Sequence, residues 1–370
     1  MPSRLDRLIL GEIIGPFLGS AFLFVGLFFA GGELVRYAEY LQSGQSWVIV
    51  AQLMALTLPG VLALTFPIAA LLSSLLGFGR LSNDSEIIAL VAAGTRFERI
   101  ILPVALFGLV VSLIGAWFGN SVVPASSRGR NIIIDRVKNE GGGLSASQLT
   151  AELRSEGKLN TLIHVEGDAE LASGRLSNVS IELWEKGRLV SVIFASKAYW
   201  KKGTKDWRLE NYYGADFRNE NSPLAFSAKG GASQEIKDVS LDTPSILEQF
   251  KGRPEDTDTS DLLKRAEIFR KGGSVDKARE LEVEAARRNA IPFASLCFAL
   301  LGAPLGVSPR RQGKGVGFGV AVVVTFLYWT ALQIASVTAK GGLLPAPIAL
   351  AIPNIICLGV AFYFIRRVLR

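Results

Sequence analysis

Residues 79–99, GRLSNDSEIIALVAAGTRFER, form a short polar passage between two long apolar runs. The passage predicts one small helix near residues 83–94. Asn83 can cap its start, Glu86 stands three residues later as in a capping box, and Gly94 follows its end. A helix of two to three turns is too short to be stable alone in water. We therefore expect it to rest on the bilayer surface or in a groove of a partner, and we favour the partner.

The predicted helix is amphipathic. Asp84 and Glu86 at its start complement the positive end of the helix dipole. The residues that give it an apolar side are Ile87, Ile88, Leu90 and Val91. The helix therefore has an acidic beginning and a face that can be buried against another surface.

The composition predicts a membrane protein. Of 370 residues, 49% are hydrophobic and 20% are charged, and the mean hydropathy is +0.33, which is too apolar for a soluble domain. Six apolar runs are long enough to cross a bilayer and contain no Lys, Arg, Asp or Glu. They are residues 13–32, 47–78, 100–119, 290–307, 315–339 and 343–365. The absence of charge within them argues against a proton-coupled transporter or a channel lined by charges.

The short loops predict the orientation, because Lys and Arg are enriched on the cytoplasmic side. One side carries eleven of them: Arg4, Arg7, Arg80, Arg96, Arg99, Arg310, Arg311, Lys314, Arg366, Arg367 and Arg370. The short loops of the other side carry only Arg36 and Lys340. Both termini and the small helix are therefore expected in the cytoplasm. The +7 net charge is sorted by membrane side, so it does not indicate a nucleic-acid partner.

The long segment between the third and fourth spans is expected outside, in the periplasm of a double-membraned cell. Alternating apolar residues predict strands at 161–165, 179–184, 189–195 and 207–213, separated by turn signals such as Lys186-Gly187. The predicted fold class is an α-helical integral membrane protein with an inserted all-β, jelly-roll-like domain. Its four parts are residues 1–123 with spans one to three, 124–254 with the β domain, 255–288 with a helical connector, and 289–370 with spans four to six. A sandwich of this kind could hold acyl chains between its sheets, and a packed core without a ligand is the alternative.

Catalytic patterns are missing from the sequence. His164 is the only histidine, and no G-x-S-x-G or H-E-x-x-H motif occurs. Cys297 and Cys357 both lie in apolar runs, which supports neither a disulfide nor a metal site. We therefore expect no catalytic residue, no metal and no cofactor, and a chain that does not break bonds itself.

Two further features concern the first span. Gly11, Gly15 and Gly19 leave one stripe without side chains, which allows another helix to approach closely. The alternative is that glycine is simply common in membrane helices. Glu33 and Arg36 follow at the outer end, where charges reach the lipid headgroups.

Three groups of residues together resemble the lipopolysaccharide-export permease family LptF/LptG (YjgP/YjgQ). They are Leu34-Val35-Arg36; the Gly77-x-Gly79-Arg80-Leu81 and Ser85-Glu86-Ile87 passage with Ala93-Gly94; and Arg288-x-x-Ile-Pro-Phe-Ala294 with Pro304-Leu-Gly306 and Pro309-Arg-Arg-Gln-Gly313. The resemblance covers essentially the whole chain. It implies a multi-pass protein of the cell inner membrane that extracts lipopolysaccharide and passes it to a periplasmic bridge.

The resemblance also implies partners and site residues. The partners are a cytoplasmic ABC ATPase dimer, a second LptF/LptG-like permease subunit, and a bridge protein of the LptC/LptA type. The small helix would couple to the ATPase through Glu86 and Asp84, with Ile87, Leu90 and Val91 as its buried face. Arg36, with Glu33 beside it, would meet lipid phosphate, and ATP hydrolysis would belong to the partner.

Several alternatives stay open. Glu86 can act only as a capping residue, Arg36 can be an ordinary interfacial anchor, and the glycine stripe can pack within one subunit rather than line a gate between two. The sequence does not distinguish an F-like from a G-like partner or a homodimer. Two other functions remain: an ABC permease for another envelope lipid or glycolipid, and a membrane scaffold for envelope assembly without transport.

Overall fold

A computed structural model describes residues 4–140, 149–155, 158–165, 169–170, 175–200, 207–218, 224–228, 234–236, 254, 257–271, 274–307 and 314–368. The chain divides into two compact units. One consists of Met1–Ile133 with Glu282–Arg370, and the other is Ile134–Leu281. Helices form the first unit, and an antiparallel sheet with helical segments forms the second.

Ten α-helices are described, and their bounds follow in chain order. They are α1 Arg4–Phe28, α2 Leu34–Gln42, α3 Trp47–Asn83, α4 Glu86–Ala92, α5 Phe97–Trp117, α6 Val123–Glu140, α7 Thr259–Lys271, α8 Val275–Gly306, α9 Lys314–Lys340 and α10 Ala346–Val368. Single π-helical turns, Phe29–Glu33 and Phe118–Val122, join α1 to α2 and α5 to α6.

Six of the helical stretches are long and apolar enough to cross a membrane, which confirms the six predicted spans. They are Arg4–Gln42, Trp47–Asn83, Phe97–Ile134, Val275–Gly306, Gly317–Lys340 and Ala346–Arg367. With 37 residues, α3 is about 55 Å long, whereas the hydrocarbon layer of a bilayer is about 30 Å thick. This helix therefore tilts strongly or extends beyond the hydrocarbon at one end.

A close helix contact in the first unit joins α8 to α3. A Cβ atom placed on Gly302 would lie 2.6 Å from the carbonyl oxygen of Leu71, and one placed on Gly306 would lie 2.5 Å from that of Leu75. The two backbones therefore touch, which only a residue without a side chain permits. Because lipid supplies no hydrophobic force between helices, close packing of this kind is what holds a membrane bundle together.

A buried polar network links α8, α9 and α10. The Asn354 side chain is 3% exposed and donates through Nδ2 to the carbonyl oxygen of Ala290 at 3.0 Å. The Tyr328 hydroxyl donates to Asn354 Oδ1 at 3.2 Å, and the Cys297 thiol lies 3.7 Å from the Asn354 carbonyl oxygen. One asparagine thus ties three helices together with its hydrogen-bonding groups occupied.

The second unit contains one antiparallel sheet. Its described strands are β1 Leu149–Ser155, β2 Lys158–Val165, β3 Ala169–Glu170, β4 Arg175–Glu185, β5 Arg188–Trp200, β6 Trp207–Asp216, β7 Leu224–Ala228 and β8 Gln234–Ile236. The long strands lie in the order β1-β2-β4-β5-β6-β7, with β3 paired to β4 and β8 to β6. The four predicted strands fall within β2, β4, β5 and β6 and are confirmed.

A two-residue turn sets the register of the central hairpin. Lys186 and Gly187 both have positive φ, 51° and 82°. Positive φ at both central residues is typical of a type I′ turn, whose twist matches that of the flanking strands. Ile181 consequently pairs with Ile193, and both are buried on one face of the sheet. The long strands follow chain order in a single sheet, so the predicted jelly-roll crossovers are not confirmed by the described strands.

We predict that Gly302→Ala lowers the free energy of unfolding by about 1–3 kcal/mol, since the added methyl group must displace the α3 backbone. The matched control is Gly319→Ala in α9, where an added Cβ meets no atom within 4 Å. Thermal unfolding in detergent measures both variants. Equal unfolding temperatures would contradict the close α3–α8 contact.

Candidate functional site

The start of α4 differs from the sequence prediction. Asn83 is the last residue of α3, and Asp84 follows as its C-cap. Ser85 then turns the chain with a left-handed backbone (φ 63°) and makes no side-chain cap to α4. The predicted cap at Asn83 is therefore wrong. The reason is packing: Leu81 and Ser82 are buried, so α3 continues for as long as its inner face has neighbours.

The end of α4 is confirmed at Gly94. This glycine has φ +87°, and its N–H donates to the carbonyl oxygen of Val91 at 3.0 Å. The N–H of Thr95 donates to the carbonyl oxygen of Leu90, also at 3.0 Å. These two bonds define a Schellman motif, which needs a left-handed residue at the position that Gly94 occupies.

The apolar residues of α4 are divided between the chain's own core and the outside, whereas the sequence implied one face buried against a partner. Ile87 is 3% exposed and packs in an apolar cluster with Phe78 of α3 and Phe97 of α5. Ile88 is 63% exposed and Val91 is 49% exposed. Ile87 therefore anchors the helix to its own chain, and Ile88 and Val91 form the apolar surface that faces outward.

The other residues predicted for ATPase coupling lie around that surface. Leu90 and Glu86 are partly buried, and Leu90 packs at the margin of the same apolar cluster. Asp84 is exposed and forms a loose ion pair with Arg80 at 3.8 Å. The coupling role of these side chains stays a prediction.

Two ion pairs join the beginning of α1 to the helices on either side of α4. Arg99 of α5 holds Asp6 through two hydrogen bonds of 2.7 and 3.0 Å. Arg80 of α3 contacts Glu12 at 3.2 Å. The sequence gives no local signal for these pairs. Asp6 lies 93 positions from Arg99 along the chain, and Glu12 lies 68 positions from Arg80.

At the other end of the first span, Glu33 and Arg36 pair with each other. Arg36 donates from Nη1 to Glu33 Oε1 at 3.1 Å, and its side chain remains 61% exposed. The next residue, Tyr37, is buried and shares a 2.6 Å hydrogen bond with Thr57 of α3. Tyr37 thus fixes α2 on α3 and leaves the Arg36 guanidinium on the outside.

The glycine stripe of α1 does not pack within the described part of this chain. A Cβ atom added at Gly11, Gly15 or Gly19 would meet nothing within 4 Å. Neighbouring side chains on the same side are also exposed, and Phe22 is 84% exposed. This disfavours packing within one subunit and leaves the stripe open to another helix or to lipid.

Comparison with known proteins identifies the family. A family model described as "Lipopolysaccharide export system permease LptF/LptG" matches residues 7–367. The chain belongs to the LptF/LptG family. It is a multi-pass membrane protein of that family, with six candidate spans.

Curated relatives agree with this assignment. The chain is 27% identical over 220 residues to the lipopolysaccharide export system permease protein LptG of Escherichia coli strain K12, and to that of strain O6:H1. Each alignment covers 58% of this chain and 58% of the relative. The aligned part therefore spans less than two thirds of the curated LptG proteins.

We predict that Ile87→Ala lowers the free energy of unfolding by about 2–5 kcal/mol, the range for removing a buried isoleucine side chain. Ile88→Ala, one position further and exposed, is the matched control and is expected to change stability little. Chemical or thermal unfolding in detergent compares them. A smaller loss for Ile87→Ala than for Ile88→Ala would contradict the placement of α4.

Proposed function

We propose that this chain is a permease subunit of an ABC transporter that extracts lipopolysaccharide from the inner membrane and passes it to a periplasmic bridge. The observation that carries the proposal is α4, a seven-residue helix that presents Ile88 and Val91 outward at the end of the bundle where α1 begins. An apolar face held at the end of a membrane bundle is suited to a groove of a second protein. In this proposal that second protein is the cytoplasmic ATPase of the transporter, as the resemblance to the family implies.

The coupling contact combines one anchor with one docking face. Ile87 holds α4 in the chain's own core, whereas Ile88 and Val91 enter the ATPase groove. Glu86 lies at the start of α4 and supplies its polar contact, with Asp84 beside it. The chain itself supplies no residue for ATP hydrolysis in this proposal, so energy reaches it only through this contact.

The first span is proposed as the contact with a second LptF/LptG-like subunit. Its stripe of Gly11, Gly15 and Gly19 is open in this chain and permits a close approach of a partner helix. Two such subunits enclose the lipid between their bundles. Arg36, 61% exposed at the outer end of that span, meets a lipid phosphate as a charge-assisted pair, and Glu33 orients it.

The sheet unit is proposed to lie in the periplasm, with both chain termini in the cytoplasm. It receives the extracted lipid as a jelly-roll-like domain and joins a bridge protein of the LptC/LptA type through an edge strand. The unequal distribution of Lys and Arg among the short loops supports this orientation.

We predict that Glu86→Ala reduces recovery of the ATPase when the full chain is purified in mild detergent, because the docking face loses its polar contact. The unfolding temperature is expected to stay unchanged. Glu98→Ala is the matched control, since Glu98 is an exposed carboxylate in the first turn of α5. Mass spectrometry quantifies the co-purified proteins, and ATPase recovery equal to that of the parent would refute the coupling role of Glu86.

We also predict that Arg36→Glu reduces lipid crosslinking to a photoreactive group placed at Val35, which is 62% exposed. Charge reversal beside Glu33 repels a phosphate that the parent attracts. Glu39→Gln on the same helix changes charge in the opposite sense and is expected to preserve crosslinking. Equal crosslinking of parent and Arg36→Glu would contradict the lipid contact of Arg36. If a lipid other than lipopolysaccharide co-purifies with the chain, the chain is a permease for another envelope lipid.

A further inference from the structure

We propose that the ion pairs Asp6–Arg99 and Glu12–Arg80 make the beginning of α1 move as one body with α4. A push on α4 then reaches α1, the helix with the open glycine stripe, without passing through α9 or α10. The inference rests on the proposed function for the origin of the push. The attachment of α4 to α1 rests on the geometry alone.

The first link is the bidentate contact between Arg99 and Asp6. The two guanidinium nitrogens donate to the two carboxylate oxygens at 2.7 and 3.0 Å. A fork of this kind fixes direction as well as distance, since rotation of either group breaks one of the bonds. Asp6 remains 19% exposed, so protein covers most of its side chain. The contact therefore joins α1 and α5 in one orientation.

The second link places Arg80 between two carboxylates. Its Nη1 lies 3.2 Å from Glu12 of α1, and its Nε lies 3.8 Å from Asp84. Asp84 belongs to the turn that leads from α3 into α4. The same guanidinium thus contacts α1 on one side and the entrance of α4 on the other.

An apolar cluster fills the space between the two links. It contains Ile9 and Ile13 of α1 together with Ile87 of α4 and the aromatic rings of Phe78 and Phe97, all of them nearly fully buried. A packed core of this kind transmits displacement because it has little free volume. We call this cluster and its two ion pairs the clasp.

Ion pairs along a single helix differ in kind from those of the clasp. Lys264–Asp261 and Lys271–Glu267 join residues three or four positions apart on α7. Pairs of that kind lie along one helix and cannot connect the motion of two. Asp6–Arg99 and Glu12–Arg80 connect separate helices, and both involve the same end of α1.

The attachment is tested on the isolated full chain by measuring a distance between spin labels on Leu8→Cys and Ile88→Cys, both exposed positions. Cys297 and Cys357 are buried, and a sample without added cysteines measures their background. The parent is expected to give a narrow distance distribution, and Asp6→Asn with Glu12→Gln a broader one. Arg7→Gln, a charge change on the same helix end, is the control. Equal widths for parent and double variant would overturn the clasp.

The transmission is tested in the complex with the ATPase, reconstituted in vesicles that contain lipopolysaccharide. Arg99→Asp is expected to keep ATP hydrolysis but to lower lipid release per ATP by about fivefold or more. The charge swap Asp6→Arg with Arg99→Asp is expected to restore release. A normal release ratio in Arg99→Asp, or no recovery in the swap, would overturn transmission through this pair. If the parent binds no ATPase, the proposed function fails, and the spin-label distances still decide the attachment.

Discussion

The burial of Ile87 is the contact on which the position of α4 depends. A helix of seven residues does not form alone in water, so α4 is stable because its own chain buries its apolar face. The apolar cluster that buries this face contains residues of α1, α3 and α5. The position of α4 therefore depends on the start of α1, the end of α3 and the start of α5, and any force on α4 acts on those three helices first.

Two groups of helical glycines among the described residues have opposite consequences. Gly302 and Gly306 lie against the α3 backbone, and their lack of a side chain is already used to build the bundle. Gly11, Gly15 and Gly19 make no comparable contact in the described part of the chain. A glycine stripe weakens a helix slightly, so an open one is consistent with packing that occurs only in an assembly.

The sequence predicts the spans, the strands and the end of α4 because each depends on local information. Hydrophobic runs of sufficient length, period-two alternation and Gly94 are all visible within a few residues. The failure at Asn83 has the opposite cause, since contacts from distant helices keep α3 helical up to and including this good capping residue. From the sequence, Arg80 and Arg99 indicate only the topology, because their carboxylate partners are far away in the chain. The sequence analysis does not predict the close approach of Gly302 and Gly306 to α3, because no local signal names the partner helix.

The size of α4 limits what its docking can achieve. With seven residues, α4 is about 10 Å long. A helix of this length covers only a small part of the roughly 1,200–2,000 Å² that a stable protein interface buries. If Ile88 and Val91 enter a groove of the ATPase, this contact is weak by itself. Two permease subunits on one ATPase dimer would strengthen it through effective concentration. A weak contact at each helix then suits a coupling element, because it fixes the direction of the push without locking the complex in one state.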